Sequence, residues 1–215
     1  MVETEKIIIP TNDGVELEAE YSQSRSDKTS TVLITHPHPQ FGGNMYNNVV
    51  LGVFKKLIEE DISCLRFNFR AVGKSTGEHG DGEDERVDVK ACIDFLINVK
   101  NIEKILICGY SYGAAIGCSV VNYSEKIIGY VAIAFPWDFM GSYFKEKAQT
   151  SKPKIFLQGD KDFIAHYNSF NKHYNFYEEL KKFEIIKGAD HFFGGYEKIV
   201  SNIVIDFYKG IIKLI

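Results

Sequence analysis

At residues 109–113 the chain reads Gly109-Tyr110-Ser111-Tyr112-Gly113, a serine with a glycine two positions to either side. The apolar run Ile105-Leu106-Ile107-Cys108 precedes it and an Ala- and Gly-rich stretch follows, the pattern of a strand, a sharp turn and a helix. The glycines suit that turn for a steric reason, because a serine in a tight, strained turn leaves no room for side chains two residues away. Amides at the start of the helix then lie beneath the hydroxyl and favour an anion developing there. The competing account is an ordinary turn whose serine merely caps the following helix.

A serine hydroxyl attacks a carbonyl only when a base takes its proton and a carboxylate orients that base. Downstream, Gln158-Gly159-Asp160-Lys161-Asp162 follows an apolar run ending at Leu157, so Asp160 and Asp162 compete for the carboxylate role. Gly188-Ala189-Asp190-His191-Phe192-Phe193 follows another run, which makes His191 the candidate base and its neighbour Asp190 structural. His79 lies in a Gly-rich loop, and His166 and His173 flank a helical pattern and read as surface or partly packed residues. His36-x-His38 has two imidazoles but no accompanying Cys, His or Asp cluster, so no metal is expected there. Gly73-Lys74-Ser75 invites a phosphate-binding reading, but Asn68 stands where that loop needs its first glycine and no helix begins at once. A surface loop beside the site is expected instead, with Arg70 and Lys74 meeting carboxylates of the helix that follows.

These residues need a scaffold. Asn12-Asp13-Gly14 between residues 6–9 and 15–21 signals a hairpin. Beyond a polar loop, strands are expected at 31–35, 62–69, 104–109, 127–135, 154–157 and 183–186. Helices are expected at 45–60 (with Asn44 as N-cap), 83–99, 112–123, 169–182 and 196–213. Strands alternating with single crossovers give an α/β class with a mostly parallel sheet and helices on both faces. Ligands bind beyond the carboxyl ends of such strands, which is after Thr35, Phe69, Cys108, Leu157 and Ile186.

The chain resembles the α/β-hydrolase superfamily, and within it a small, uncapped serine hydrolase branch related to dienelactone hydrolases and serine peptidase-like esterases. The matching pieces are Thr35-His36-Pro37-His38-Pro39, Gly42-Gly43-Asn44-Met45, Leu65-Arg66-Phe67-Asn68-Phe69-Arg70 and Gly73-Lys74-Ser75-Thr76-Gly77, with the segments around Ser111, Asp162 and His191. The resemblance implies Ser111 as nucleophile and His191 as base, and its G-x-x-D pattern maps the carboxylate onto Asp162 rather than Asp160. It implies an oxyanion hole of two backbone N–H groups, one from Tyr112. Pro37 and Pro39 have no N–H, which leaves His38, Gln40 and Phe41 for the other. Aligning His36-Pro37 with the superfamily's His-Gly pair selects His38, although Pro replaces Gly.

Phe41, Trp137 and Phe139 are expected to line a shallow apolar substrate pocket, unless the aromatics after Pro136 simply cover the sheet. Residues 136–153 occupy the place where relatives insert a lid and leave room for one short helix, so a single domain spanning 1–215 without a cap is expected. The chemistry implied is cleavage of a small acyl substrate, an ester or thioester, through an acyl-enzyme. Peptide or amide cleavage, or a non-catalytic interaction module on the same fold, are the alternatives. No organic cofactor or metal is called for.

Composition sets outer bounds. With 25 Lys plus Arg against 29 Asp plus Glu, the net charge is −4 and no basic run appears, which argues against nucleic acid as a partner. The polar start, Met1-Val2-Glu3-Thr4, lacks a signal-peptide pattern, and no apolar stretch is long enough to span a bilayer. The four cysteines form no C-x-x-C pair, so a reduced, cytoplasmic setting is expected.

Overall fold

The computed structural model describes residues 4–214; the polar start at residues 1–3 and residue 215 lie outside the described part. Strands β1 (Thr4–Pro10) and β2 (Glu16–Ser22) form the N-terminal antiparallel hairpin. In its turn the Thr11 N–H donates to the Val15 carbonyl at 2.8 Å, and Gly14 supplies a φ of 88°. Strand β2 continues antiparallel onto β4 (Cys64–Phe67). From there the sheet is parallel through β3 (Ser30–Thr35), β5 (Lys104–Tyr110), β6 (Ile127–Ile133), β7 (Lys154–Gly159) and β8 (Lys181–Ile186). The spatial order of the eight strands is β1-β2-β4-β3-β5-β6-β7-β8.

Every residue of β3 is buried, as a central parallel strand requires with both faces covered. Helices α1 (Asn48–Glu59) and α6 (Glu197–Ile212) pack on one face, where Val53 and Leu57 meet Val200 and Val204 over Val32 and Leu106. Helices α2 (Glu83–Asn98), α3 (Tyr112–Cys118) and α4 (Trp137–Lys147) share the other core with Leu33, Ile107 and Phe156. The register sets Thr35 beside Gly109 and Gly159 beside Ile186, so the carboxyl ends of the strands meet along one edge. That edge carries the candidate residues.

Several boundaries differ from those expected, each for a local reason. Helix α1 starts at Asn48, after Asn47; Asn44 closes a preceding turn instead, its Oδ1 accepting from the Tyr46 N–H at 2.8 Å. The helix expected to run to residue 123 ends at Cys118; beyond Ser119, the Val120 and Val121 N–H groups reach back only three residues. The helix expected over 169–182 is the short α5 (Phe170–Tyr174), and the chain enters β8 at Lys181. Strand β8 is a sheet edge with Lys182, Phe183 and Glu184 exposed, and such polar positions hide a strand from an apolar-run criterion. Helix α4 is broken at Gly141, whose φ of 74° no helix interior adopts.

All four cysteines are free and buried, and burial pushes the Cys108 thiol up to about 12. They behave as small core side chains. Among the described residues, no helix is long and apolar enough to cross a membrane.

Candidate active site

Strand β5 runs into helix α3 through Ser111, whose backbone sits at φ 55° and ψ −121°. A non-glycine residue there stores roughly 1–3 kcal/mol of strain that the surroundings must hold. They do so with backbone on both sides. The Ser111 N–H donates to the Ile133 carbonyl at 2.8 Å, and the Thr35 hydroxyl donates to the Gly113 carbonyl at 2.7 Å. A Cβ on Gly113 would stand 2.5 Å from the carbonyl oxygens of Thr35 and His36, and one on Gly109 would strike Gly113 and Ala114. The two glycines are therefore required by close backbone approach.

Ser111 Oγ lies 2.8 Å from His191 Nε2, and His191 Nδ1 lies 2.9 Å from Asp162 Oδ2. All three side chains are buried. Asp162 is held from both oxygens. Its Oδ1 accepts from the Ile164 and Ala165 N–H groups at 2.9 and 2.8 Å, and its Oδ2 also accepts from Gln158 Nε2 at 3.0 Å. The His191 backbone is tied by the Tyr110 hydroxyl, which donates to its carbonyl at 2.8 Å. Asn48 Nδ2 donates to the neighbouring Phe192 carbonyl at 2.9 Å.

Asp160 lies elsewhere in the wiring: its Oδ1 accepts from the Gly188 N–H at 2.6 Å and fixes the turn before His191. Asp190 likewise serves its own loop, accepting from the Phe192 N–H at 2.9 Å.

The loop after β3 brings the second group of residues to the serine. His36 Nδ1–H donates to the Pro37 carbonyl at 2.7 Å while its Nε2 accepts from the Phe69 N–H at 3.0 Å. Burial pushes its pKa down to about 3, and both nitrogens are committed, so it has no lone pair for a metal. Among the described residues, no group of three or more His, Cys, Asp or Glu is placed to hold a metal ion.

Of the three N–H groups weighed in this loop, that of Gln40 is taken by His38 Nδ1 at 3.3 Å and that of Phe41 by the His38 carbonyl at 3.1 Å. The His38 N–H has no partner among the described residues, and neither does that of Tyr112. Both residues border the same cavity as Ser111.

That cavity has a volume of about 660 Å³ and is bounded by Ser111, His191, Phe41, Phe139, Phe163 and Phe192, among others. The four phenylalanines come from four different segments and are 78%, 59%, 62% and 55% exposed, so they form an open apolar rim. Trp137 does not join them. It is the first residue of α4 and turns under the sheet, stacked between Phe135 and His173 with its Nε1–H donating to Tyr177 at 2.9 Å. The expectation of a pocket tryptophan is corrected: its neighbours Pro136, Asp138 and Phe139 reach the cavity, whereas Trp137 is 4% exposed core.

Tyr110, Gln158, Phe163 and Phe192 were not singled out from sequence. Their one readable signal is adjacency to Ser111, Asp162 or His191 in loops at strand ends.

The Gly73-Lys74-Ser75 loop clamps onto the hairpin. The Ser75 hydroxyl donates to the Asn68 carbonyl and accepts from the Glu18 N–H, while the Lys74 N–H donates to Glu18 Oε2. Arg70 meets Asp88 of α2 at 2.8 Å and Asp13 of the hairpin turn at 2.9 Å. These contacts serve the scaffold.

Residues 28–199 match the family model of the alpha/beta hydrolase domain. The chain is 36% identical over 184 residues to the uncharacterized protein RP471 of Rickettsia prowazekii (strain Madrid E), which covers 82% of this chain and 77% of that one. Among solved structures it is similar to an alpha-beta serine hydrolase homologue from Coxiella burnetii, with a TM-score of 0.82 and 28% identity over 95% of this chain and 98% of that one. It is also similar to ATU1826 of Agrobacterium tumefaciens, at a TM-score of 0.85 and 28% identity over 95% of each chain. The chain belongs to the alpha/beta hydrolase family.

Proposed function

We propose that the chain is a serine hydrolase that cleaves a carboxylic ester or thioester, acting as a single uncapped domain. The observation that carries the reading is the unbroken line from Ser111 Oγ through His191 to Asp162, with both hydrogen-bonding distances under 3 Å. In the reaction, Ser111 Oγ attacks the acyl carbonyl as His191 Nε2 takes its proton. The negative charge on the carbonyl oxygen is met by the unpartnered N–H groups of His38 and Tyr112. Collapse breaks the bond to the leaving alcohol or thiol, which takes the proton from His191. Water then gives a proton to the same imidazole and attacks the acyl-enzyme; collapse breaks the bond to Ser111 Oγ, which takes that proton back, and the acid is released. Asp162 holds His191 in the tautomer that leaves Nε2 free to accept, while Phe41 and Phe139 line the substrate cavity.

Hydrolysis of p-nitrophenyl butyrate by the wild type and by Ser111→Ala tests this. Turnover in the wild type that vanishes in the variant supports it. Equal rates in the two, or no turnover by wild type on esters or thioesters, would overturn it.

A further inference from the structure

Beside the main cavity lies a second, of about 340 Å³. The two share His38, Tyr112 and Phe139, but their linings contrast. Phenylalanines from four segments and Ile164 dominate the first, whereas the second presents the imidazoles of His38 and His79 and the phenol of Tyr112. Tyr112 is 3% exposed, and its hydroxyl, which lies near the Glu85 carboxylate, makes no well-formed hydrogen bond among the described residues. An unpaired buried hydroxyl costs about 1–3 kcal/mol, which a ligand atom would recover.

The other two groups are set by their surroundings. His38 Nδ1 accepts from the Gln40 N–H, so in the neutral ring its Nε2 carries the proton and donates. His79 Nδ1 stands 2.8 Å from Oε1 of Glu85. That carboxylate is fully buried and also accepts from the Gly80 and Gly82 N–H groups at 2.9 Å each. His79 Nδ1 is buried against that carboxylate without an aligned hydrogen bond to it, and Nε2 is the ring nitrogen left to meet a hydroxyl, as donor or acceptor. The rings of His38 and His79 are 5.4 Å apart, and those of His38 and Tyr112 are 4.6 Å apart. Two donors, from His38 and Tyr112, and a His79 nitrogen able to take either role match neighbouring alcohol groups, since a hydroxyl both donates and accepts. An anionic arm is disfavoured, because it would meet the charge of Glu85 close by and that of Asp81, which also lines this cavity.

We propose that this second cavity binds the alcohol side of the substrate, and that the substrate is an uncharged acyl ester of a polyhydroxy alcohol. The proposal rests on the reading of Ser111 as nucleophile. The geometry of the join supports the assignment. His38 and Tyr112 border both cavities and carry the two unpartnered N–H groups, so an ester carbonyl held there sends its two arms in different directions. The hydrocarbon arm goes to the phenylalanines and the hydroxylated arm to the histidines and Tyr112. Hydrolysis proceeds through the acyl-enzyme, and the polyol leaves with the proton returned by His191.

The test compares 1-monohexanoylglycerol with ethyl hexanoate, which share acyl chain and bond. The wild type is expected to favour the glycerol ester by about tenfold in kcat/KM, the worth of one net hydrogen bond. In His79→Leu the ratio of the two is expected to fall at least fivefold, with ethyl ester turnover and the melting transition reporting on folding. Hexanoylglycerol 3-phosphate is expected to react more slowly than the neutral ester. Equal wild-type kcat/KM for the two neutral esters, a ratio unchanged in a folded His79→Leu, or faster turnover of the phosphorylated ester would each overturn the proposal. Should neither ester nor p-nitrophenyl butyrate be cleaved, the reading of Ser111 itself fails and the subsite falls with it.

Discussion

Replacing Asp162 and Asp160 separately by asparagine separates two carboxylates that lie two residues apart. Asp162 Oδ1 accepts from two backbone N–H groups, Ile164 and Ala165. In Asp162→Asn the amide oxygen must keep that side, because an NH₂ there would face two donors. The NH₂ then takes the place of Oδ2, opposite His191 Nδ1 at 2.9 Å and Gln158 Nε2 at 3.0 Å. To accept that N–H, His191 must carry its proton on Nε2, pointing at Ser111 Oγ, and it no longer accepts the serine's proton. The same tautomer exchange in the trypsin-like triad lowers kcat about 10⁴-fold, or about 5 kcal/mol in barrier. A loss of that order is expected here in ester hydrolysis, with the fold intact. Asp160→Asn keeps the oxygen that accepts from the Gly188 N–H, so its kcat is expected within about threefold of wild type. The assay is stopped-flow or steady-state release of p-nitrophenol, with circular dichroism confirming that both variants are folded. If Asp160→Asn abolishes turnover while Asp162→Asn retains it, the wiring described above does not carry the chemistry.

Four further substitutions follow from the packing. Gly113→Ala forces a Cβ to 2.5 Å from two backbone oxygens of the β3 end, and a loss of about 2–4 kcal/mol is expected in urea unfolding; a change below about 0.5 kcal/mol would refute the close approach. Trp137→Ala is expected to cost about 3–5 kcal/mol as a core deletion, whereas Phe139→Ala, 59% exposed at the cavity rim, changes stability by under about 0.5 kcal/mol and raises KM for apolar esters. The reverse pattern in thermal melts would return Trp137 to the pocket. His36 is neutral when folded, with its pKa down at about 3, while the unfolded chain takes up the proton near 6.5. The unfolded state therefore binds more protons between those values, so this contribution is full above pH 6.5 and is lost as pH falls. At pH 4.5 the loss is about 2–3 kcal/mol. His36→Gln should show a correspondingly smaller drop in unfolding free energy between pH 7 and 4.5, and an identical drop would refute it.

The sequence made the site legible where chemistry constrains residue type and spacing together. Ser111 could be read because its glycines are needed for backbone approach on both sides, and His191 and Asp162 because each follows an apolar run that becomes a strand end. The choice between Asp160 and Asp162 could not be made from the residues alone. Both follow Gly159 in one turn, and only the three-dimensional course of the loop decides which carboxylate faces His191 and which accepts from Gly188. Trp137 was misread for a related reason: one residue in a helix's first turn faces inward and the next outward, and aromatic content does not say which. The alternation of strands and helices was plain, but edge strand β8 was partly hidden by its lysines, and α4 by the break at Gly141. The second cavity was invisible because His38, His79 and Tyr112 come from separate segments joined only by folding.

Labelling with a fluorophosphonate, followed by peptide mapping, tests the role of Ser111 most directly. The reagent forms a bond to an activated serine Oγ and expels fluoride, so it reports the nucleophile without knowledge of the substrate. One adduct is expected, on the peptide bearing Ser111, and none in Ser111→Ala or after prior acid unfolding. Ser169 provides an internal contrast. It also lies near a histidine and a carboxylate, but its hydroxyl and His173 Nε2 both bond to Asp138, so no imidazole nitrogen faces its oxygen. An unlabelled wild type, or an adduct on Ser169 in place of Ser111, would contradict Ser111 as the nucleophile.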